Sequence, residues 1–142
     1  MNNEKESKGG SWPRRKPRLS LQQSFGCAFR GLAFVIRTQR NARIHLVLAL
    51  VAVGLGVAVR LSLLEWALLC LVIVLVFAAE VMNTAIELLV DLASPGYHET
   101  ARAAKDAAAG AVLCLSLAAV VVGLILFGPP LLQWLWGGFP GE

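Results

Sequence analysis

Charge is scarce in this chain: Asp, Glu, Lys and Arg make up 15% of its 142 residues, against 57% hydrophobic ones. A soluble globular domain carries about a quarter. The composition therefore excludes an ordinary soluble protein and indicates an integral membrane protein of one compact domain. Cysteine is nearly absent as well. Cys27, Cys70 and Cys114 are odd in number and far apart, which excludes a disulfide framework or a zinc site and leaves three small apolar residues expected to be buried. The chain has no Walker A sequence, no protein-kinase signature and no internal repeat. Arg30 and Arg37 interrupt the first apolar stretch, unlike the core of a cleaved signal.

The charge that is present is segregated. Ten of the thirteen Lys and Arg residues precede Ile44, and six of the nine acids lie at or beyond Glu80. Next to long apolar runs, such a basic front end fits the anionic cytoplasmic face of a membrane rather than nucleic acid. Residues 1–19, with Gly9, Gly10, Pro13 and Pro17, are expected to form a disordered basic tail. Between Ser20 and Arg40, Leu21, Phe25, Ala28, Leu32 and Val35 recur at helical spacing with Gln23, Arg30 and Arg37 largely elsewhere on the wheel. This predicts an amphipathic helix on the membrane surface, the alternative being an N-terminal extension of the first span.

Three spans follow, which gives an all-α integral membrane fold. The first covers Ile44–Val59, is short for a crossing, and would recruit Asn41–Arg43 or Arg60–Leu63 at its ends, to about residue 62. The second runs unbroken from Leu63 to Leu92, about 45 Å of helix. The third covers about Ala107–Phe127 and opens on the small residues Ala107–Ala111, which favour close helix approach in lipid. A membrane domain over 20–128 and a C-terminal tail over 129–142 result, with Trp134 and Trp136 as interfacial anchors. Arg residues crowd the segment before the first span, Arg102 and Lys105 lie between the second and third, and nothing basic follows Phe127. That bias places the N-terminus in the cytoplasm and the C-terminus outside.

One stripe of the second span carries chemistry. At about 100° per residue, Glu80, Asn83, Glu87 and Asp91 fall within about 80° of one another, while the residues between them stay apolar. A single ionised carboxylate in hydrocarbon costs at least about 2.5 kcal/mol on insertion scales. If Trp66 marks the outer interface, Glu80 lies about 21 Å deeper and Glu87 about 31 Å. The expected loop Ala93–Gly110 then brings His98, Lys105 and Asp106 to the same cytoplasmic side, with Gly96 supplying backbone freedom beside Pro95. Acids with a Lys and an Arg-rich segment nearby are suited to holding Mg²⁺ and polyphosphate while a membrane-borne group reacts. Two other readings of the stripe are ion pairing at a subunit contact and a proton or cation pathway. His45, at the start of the first span, reads as a head-group or packing residue.

The segments AAEVMNTAIELLVDL (Ala78–Leu92), SPGYH (Ser94–His98) and AKDAAAGAVL (Ala104–Leu113), with RNARIH (Arg40–His45) and LSLLEWALL (Leu61–Leu69) upstream, resemble the small prokaryotic diacylglycerol kinases and their undecaprenol kinase relatives. The resemblance covers roughly Ser24 to Phe127. It implies a homotrimer of three-span subunits with a surface helix, in the bacterial inner membrane, with active sites shared between neighbours. It implies ATP as phosphoryl donor, Mg²⁺ as cofactor, and a membrane lipid alcohol as acceptor: diacylglycerol first, undecaprenol as the alternative. Glu80 corresponds to the catalytic base, and Asn83 to a residue of the active site. Glu87 matches the metal-binding glutamate that also lies at the nucleotide. Gly96, Tyr97, His98, Lys105 and Asp106 match the nucleotide-contacting segments, and Asp91 extends the stripe. One position departs from the pattern. A second metal-binding glutamate commonly precedes the first span, and Gln39 stands in its place, at the metal and the nucleotide but with less charge to offer Mg²⁺. The reading of another class is a non-catalytic oligomeric membrane scaffold or ion conduit.

Overall fold

The computed structural model describes residues 20–137, and the basic tail expected over 1–19 lies outside them. Four helices follow in order: α1 (Leu21–Thr38), α2 (Arg40–Ala58), α3 (Leu63–Ala93) and α4 (Glu99–Gly137). Two of the starts are written locally. Ser20 and Gln23 form a reciprocal capping box at α1, as do Ser62 and Glu65 at α3, and each box satisfies amides that the first helical turn leaves unpaired. α1 is an element of its own and no straight extension of α2. Gln39 adopts an extended conformation between them (φ −97°, ψ 121°), so the chain direction breaks there. α2 takes in Asn41–Arg43, as its shortness requires.

Between α2 and α3 the chain turns in four residues. The Leu61 amide donates to the Gly56 carbonyl (3.1 Å) and the Arg60 amide to the Val57 carbonyl (3.2 Å), the bond pattern of a Schellman cap. Arg60 takes the left-handed position (φ 56°) that glycine fills more cheaply. The turn folds Trp66 back across Gly56. A Cβ on Gly56 would lie 2.9 Å from Trp66 Cη2 and 3.0 Å from Leu61 Cδ1. Gly56→Val is therefore expected to destabilise the fold by about 1–3 kcal/mol, the usual cost of overpacking. Gly54→Ala, which meets nothing within 4 Å, is expected to be neutral or better, and thermal unfolding of both variants in detergent measures the difference.

α4 departs from the sequence expectation at both ends. It starts at Glu99, so the loop expected over Ala93–Gly110 shrinks to Ser94–His98. An alanine-rich segment is the strongest of helix formers, and Arg102 pairs with Asp106 one turn on (3.6 Å), so ETARAAKDAAA has no reason to stay irregular. At the other end the helix passes through Pro129 and Pro130 to Gly137, where a tail was expected from 129. Gly128 has no Cβ to clash with the first proline ring, which relieves the usual restriction on the preceding residue. Residues 138–142 lie outside the described part.

α3 and α4 pack as an antiparallel hairpin, α2 lies against α3, and α1 touches both α2 and α3. The buried apolar residues of this hairpin are Leu69 and Val76 of α3 and Ala108, Val112 and Leu126 of α4. Most of the large apolar side chains, by contrast, point outward. α2, α3 and α4 are each long and apolar enough to cross a membrane, and an apolar exterior is what a lipid solvent requires. The chain is an integral membrane protein. The three cysteines, expected to be buried, are exposed on the single chain, because Cys27 of α1, Cys70 of α3 and Cys114 of α4 sit on outward faces of their helices. No disulfide joins them.

Candidate active site

Leu69, Val76, Glu80, Asn83, Thr84, Glu87 and Asp91 occupy one arc of α3, about 100° wide at helical spacing. The stripe that forms the core in the first half of the helix thus changes chemistry at Glu80 and continues as polar groups. Glu80 is 2% exposed, Asn83 8% and Thr84 1%, so the packing that buries Leu69 also buries the acid. Thr84 donates its hydroxyl to the Glu80 backbone carbonyl (3.0 Å) and is thereby satisfied within the helix. Among the described residues nothing donates to the Glu80 carboxylate, and the ionisable groups whose fields reach it are His45 of α2 and Glu87.

Asn83 and Glu87 act as a unit. Asn83 Nδ2 donates to Glu87 Oε1 at 3.0 Å, which fixes the amide orientation, since the flipped form would set two oxygens against each other. The amide oxygen is left buried and without a partner. A buried acceptor with no donor is costly, and here it stands beside a half-buried carboxylate. Two hard oxygen donors one helical turn apart suit Mg²⁺, which takes one or two carboxylates and completes its shell from phosphates and water. No group of three or more His, Cys, Asp or Glu that could cage a metal occurs among the described residues.

Further along the stripe, Asp91 forms an ion pair with Lys105 across the hairpin. That contact marks the register of α3 against α4 and places Lys105 at the same end as Glu87. Asp106, the next residue, turns away to Arg102. Both of its partners are exposed, and such a pair adds little stability.

The other sequence-predicted residues stand apart from this cluster. Tyr97 is 83% exposed in the short link. His98 caps α4, its Nδ1 accepting from the Thr100 amide (3.2 Å) and its carbonyl from the Arg102 amide (3.0 Å). With Nδ1 accepting, a neutral imidazole carries its proton on Nε2, free to donate outward. Gly96 does not use the freedom expected of it. Its φ is not left-handed, a Cβ would meet nothing within 4 Å, and its carbonyl merely accepts from Ser94 Oγ (3.3 Å). Gln39 is half-buried at the α1–α2 break, and its side chain makes no capping bond. No hydrogen bond or ion pair among the described residues ties Gln39, Gly96, Tyr97, His98 or Asp106 to the α3 stripe.

Beside the stripe runs a groove of about 860 Å³ bounded by all four helices, with Leu32, Ala52, Phe77 and Phe127 among its apolar walls. Its polar lining residues are His45 and Ser116. Neither role was read from the sequence. Ser116 leaves a trace in hindsight, as the lone hydroxyl in the apolar run AVLCLSLAAVVV. The approach of His45 to Glu80 is a tertiary fact with no local signature.

The sequence model of the prokaryotic diacylglycerol kinases matches residues 26–127. The chain is 42% identical over 109 residues to an undecaprenol kinase of Bacillus subtilis, covering 77% of this chain and 89% of that one. It is 43% identical over 115 residues to a diacylglycerol kinase of Synechocystis sp., covering 80% of this chain and 66% of the relative. A diacylglycerol kinase of Escherichia coli is 32% identical over 101 residues, 71% of this chain and 83% of its own length. A match that takes in α2, α3, the Asn83–Glu87 pair and most of α4 leaves no ambiguity: this chain belongs to the prokaryotic diacylglycerol kinase family.

Proposed function

We propose that the protein is a lipid kinase that transfers the γ-phosphoryl group of ATP to the hydroxyl of a membrane lipid alcohol, diacylglycerol in the first instance. The observation that carries this reading is the position of Glu80, a buried carboxylate without a donor, on the helix whose Phe77, Ala78, Val81 and Met82 line a lipid-sized apolar groove. The acceptor's chains lie in the groove and its hydroxyl reaches Glu80. As the hydroxyl oxygen bonds to the γ-phosphorus, the bridging oxygen to ADP leaves and the hydroxyl proton passes to Glu80. Positioning and neutralisation of charge supply most of the remaining acceleration. Glu87 and Asn83 Oδ1 hold the metal side of the nucleotide, Lys105 exchanges Asp91 for phosphate oxygens, and His98 donates outward from the cap of α4. Mg²⁺, when bound, neutralises the charge of the phosphates. ATP consumption that depends on added lipid alcohol tests the assignment. A scaffold or ion conduit would consume none.

Undecaprenol is the second acceptor to consider, because the undecaprenol kinase of Bacillus subtilis is covered over 89% of its length. A panel of lipid acceptors with labelled ATP separates the two.

Gln39 belongs to the same site on this reading. A glutamate there would add charge facing the metal, partly screened by Arg37, Arg40 and Arg43. Gln39→Glu is expected to lower the Mg²⁺ concentration for half-maximal activity. Superimposable Mg²⁺ titrations of variant and wild type would place the metal away from this position.

A homotrimer with sites shared between neighbours is part of this reading. α1 lies on the surface of the bacterial inner membrane, with the N-terminus in the cytoplasm and the C-terminus outside. With the native cysteines replaced, a thiol at Gly96 should label from the cytoplasm and one at Glu142 from outside. Labelling of both from one side would end the three-span topology.

A further inference from the structure

Five serine and threonine hydroxyls stand inside helices; Thr100 is an exposed residue in the first turn of α4, and three of the other four hydroxyls are spent on the backbone. Ser24 donates to the Ser20 carbonyl (3.1 Å), Thr38 to Phe34 (2.8 Å) and Thr84 to Glu80 (3.0 Å). That back-bond to the residue four earlier is the ordinary fate of a serine or threonine in a helix. Ser116 does not make it. Its Oγ is buried and has no partner, although the residue lines the groove among apolar neighbours.

Its depth in the molecule can be stated. The Asp91–Lys105 ion pair marks the register of the α3–α4 hairpin. Glu80 and Ser116 stand equally far from it along their own helices, about 16 Å at a rise of 1.5 Å per residue. Ser116 therefore sits at the level of Glu80, on the facing helix. A lipid whose hydroxyl meets Glu80 carries its next polar atoms past Ser116.

We propose that Ser116 is a specificity-determining residue whose hydroxyl donates to an ester carbonyl of the acceptor, so that the groove selects an acylglycerol over a polyprenol. The inference rests on the kinase reading and names its substrate class. The carbonyl is the partner that fits. A bond donated to the reacting hydroxyl oxygen would draw away the electron pair that attacks phosphorus, whereas an ester carbonyl takes no part in the transfer. A polyprenol offers no second polar atom and would leave the donor unpaired, and a site that hydrogen-bonds its substrate discriminates in that way.

The test compares 1,2-diacylglycerol with the 1,2-dialkyl ether of the same chain length, which keeps the hydroxyl and the tails but lacks both carbonyls. In mixed micelles the wild type should show kcat/KM about 5- to 10-fold higher for the ester, the effect of one neutral hydrogen bond. Ser116→Ala should lose that factor for the ester alone, leaving the ether rate and the KM for ATP unchanged. The ether rate also reports that the variant is folded. Equal use of ester and ether by the wild type, an equal fall for both in the variant, or a preference for undecaprenol over both glycerolipids overturns the role of Ser116. ATP turnover indifferent to every lipid alcohol would instead remove the kinase reading beneath it.

Discussion

Replacing Glu80 with Gln is expected to collapse lipid phosphorylation by about 10²- to 10⁴-fold, the range over which positioned proton transfer contributes to rate. The substitution keeps size, burial and hydrogen-bonding capacity, so it isolates the loss of a proton acceptor. Glu80 is 2% exposed and receives no hydrogen bond from the described residues, so removing its charge breaks no internal pair. An amide should be tolerated there as well as the acid or better, because burying a charge is the costlier state. The KM for ATP should move little, since the Asn83–Glu87 pair, proposed to hold the metal side of the nucleotide, is untouched. Steady-state kinetics with saturating lipid, beside a thermal unfolding curve, decide the matter. Near-normal turnover would take the base role from Glu80.

Glu87→Gln is expected to have the second largest effect, of a different kind. On the proposed reading the charge itself is used, toward Mg²⁺ on one side, and the structure shows it accepting from Asn83 Nδ2 at 3.0 Å on the other. Hydrogen bonds to charged groups contribute about 1.5–3 kcal/mol against about 1 for neutral ones, so the amide holds Asn83 more weakly and frees it to flip. Even the loss of an outer-shell partner lowers metal affinity or activity by about 10- to 100-fold, and a direct ligand should exceed the upper figure. The Mg²⁺ concentration for half-maximal activity should rise with the fall in turnover. That joint shift separates Glu87→Gln from Glu80→Gln, whose Mg²⁺ dependence should stay where it was. A Glu87→Gln enzyme with wild-type Mg²⁺ dependence would remove Glu87 from the metal site.

How much of this was legible in advance follows from the range of the forces involved. The stripe on α3 is a local property, set by helical periodicity, and Glu80, Asn83, Glu87 and Asp91 could be placed on one face from spacing alone. The capping boxes at Ser20 and Ser62 and the unbroken run of α3 are local too. The ends of α4 were not legible in the sequence, which led to the expectation of a loop over Ala93–Gly110 before the third span and a tail from 129 after it. In the first case alanine propensity and the Arg102–Asp106 pair restart the helix within five residues. In the second, Gly128 eases the helix past the prolines. Contacts between elements lay beyond reach. The Asp91–Lys105 pair, the field of His45 at Glu80 and the unpartnered Ser116 hydroxyl depend on how the hairpin packs, and no residue in them signals its partner.

The four-residue turn between α2 and α3 bears on how the protein enters the membrane. A Schellman cap at Arg60 followed at once by the Ser62–Glu65 box leaves no slack for the two helices to be handled separately. α3 by itself is a poor candidate for partitioning into lipid, since it must carry Glu80 and the polar face beyond it, each ionised acid opposing insertion by about 2.5 kcal/mol or more. α2 has no acid at all, and Trp66 is already clasped against its Gly56. On the proposed topology the two segments are expected to leave the translocation machinery as one helical hairpin. The apolar arm would then carry the acidic one across, with the turn and its single Arg delivered to the far side.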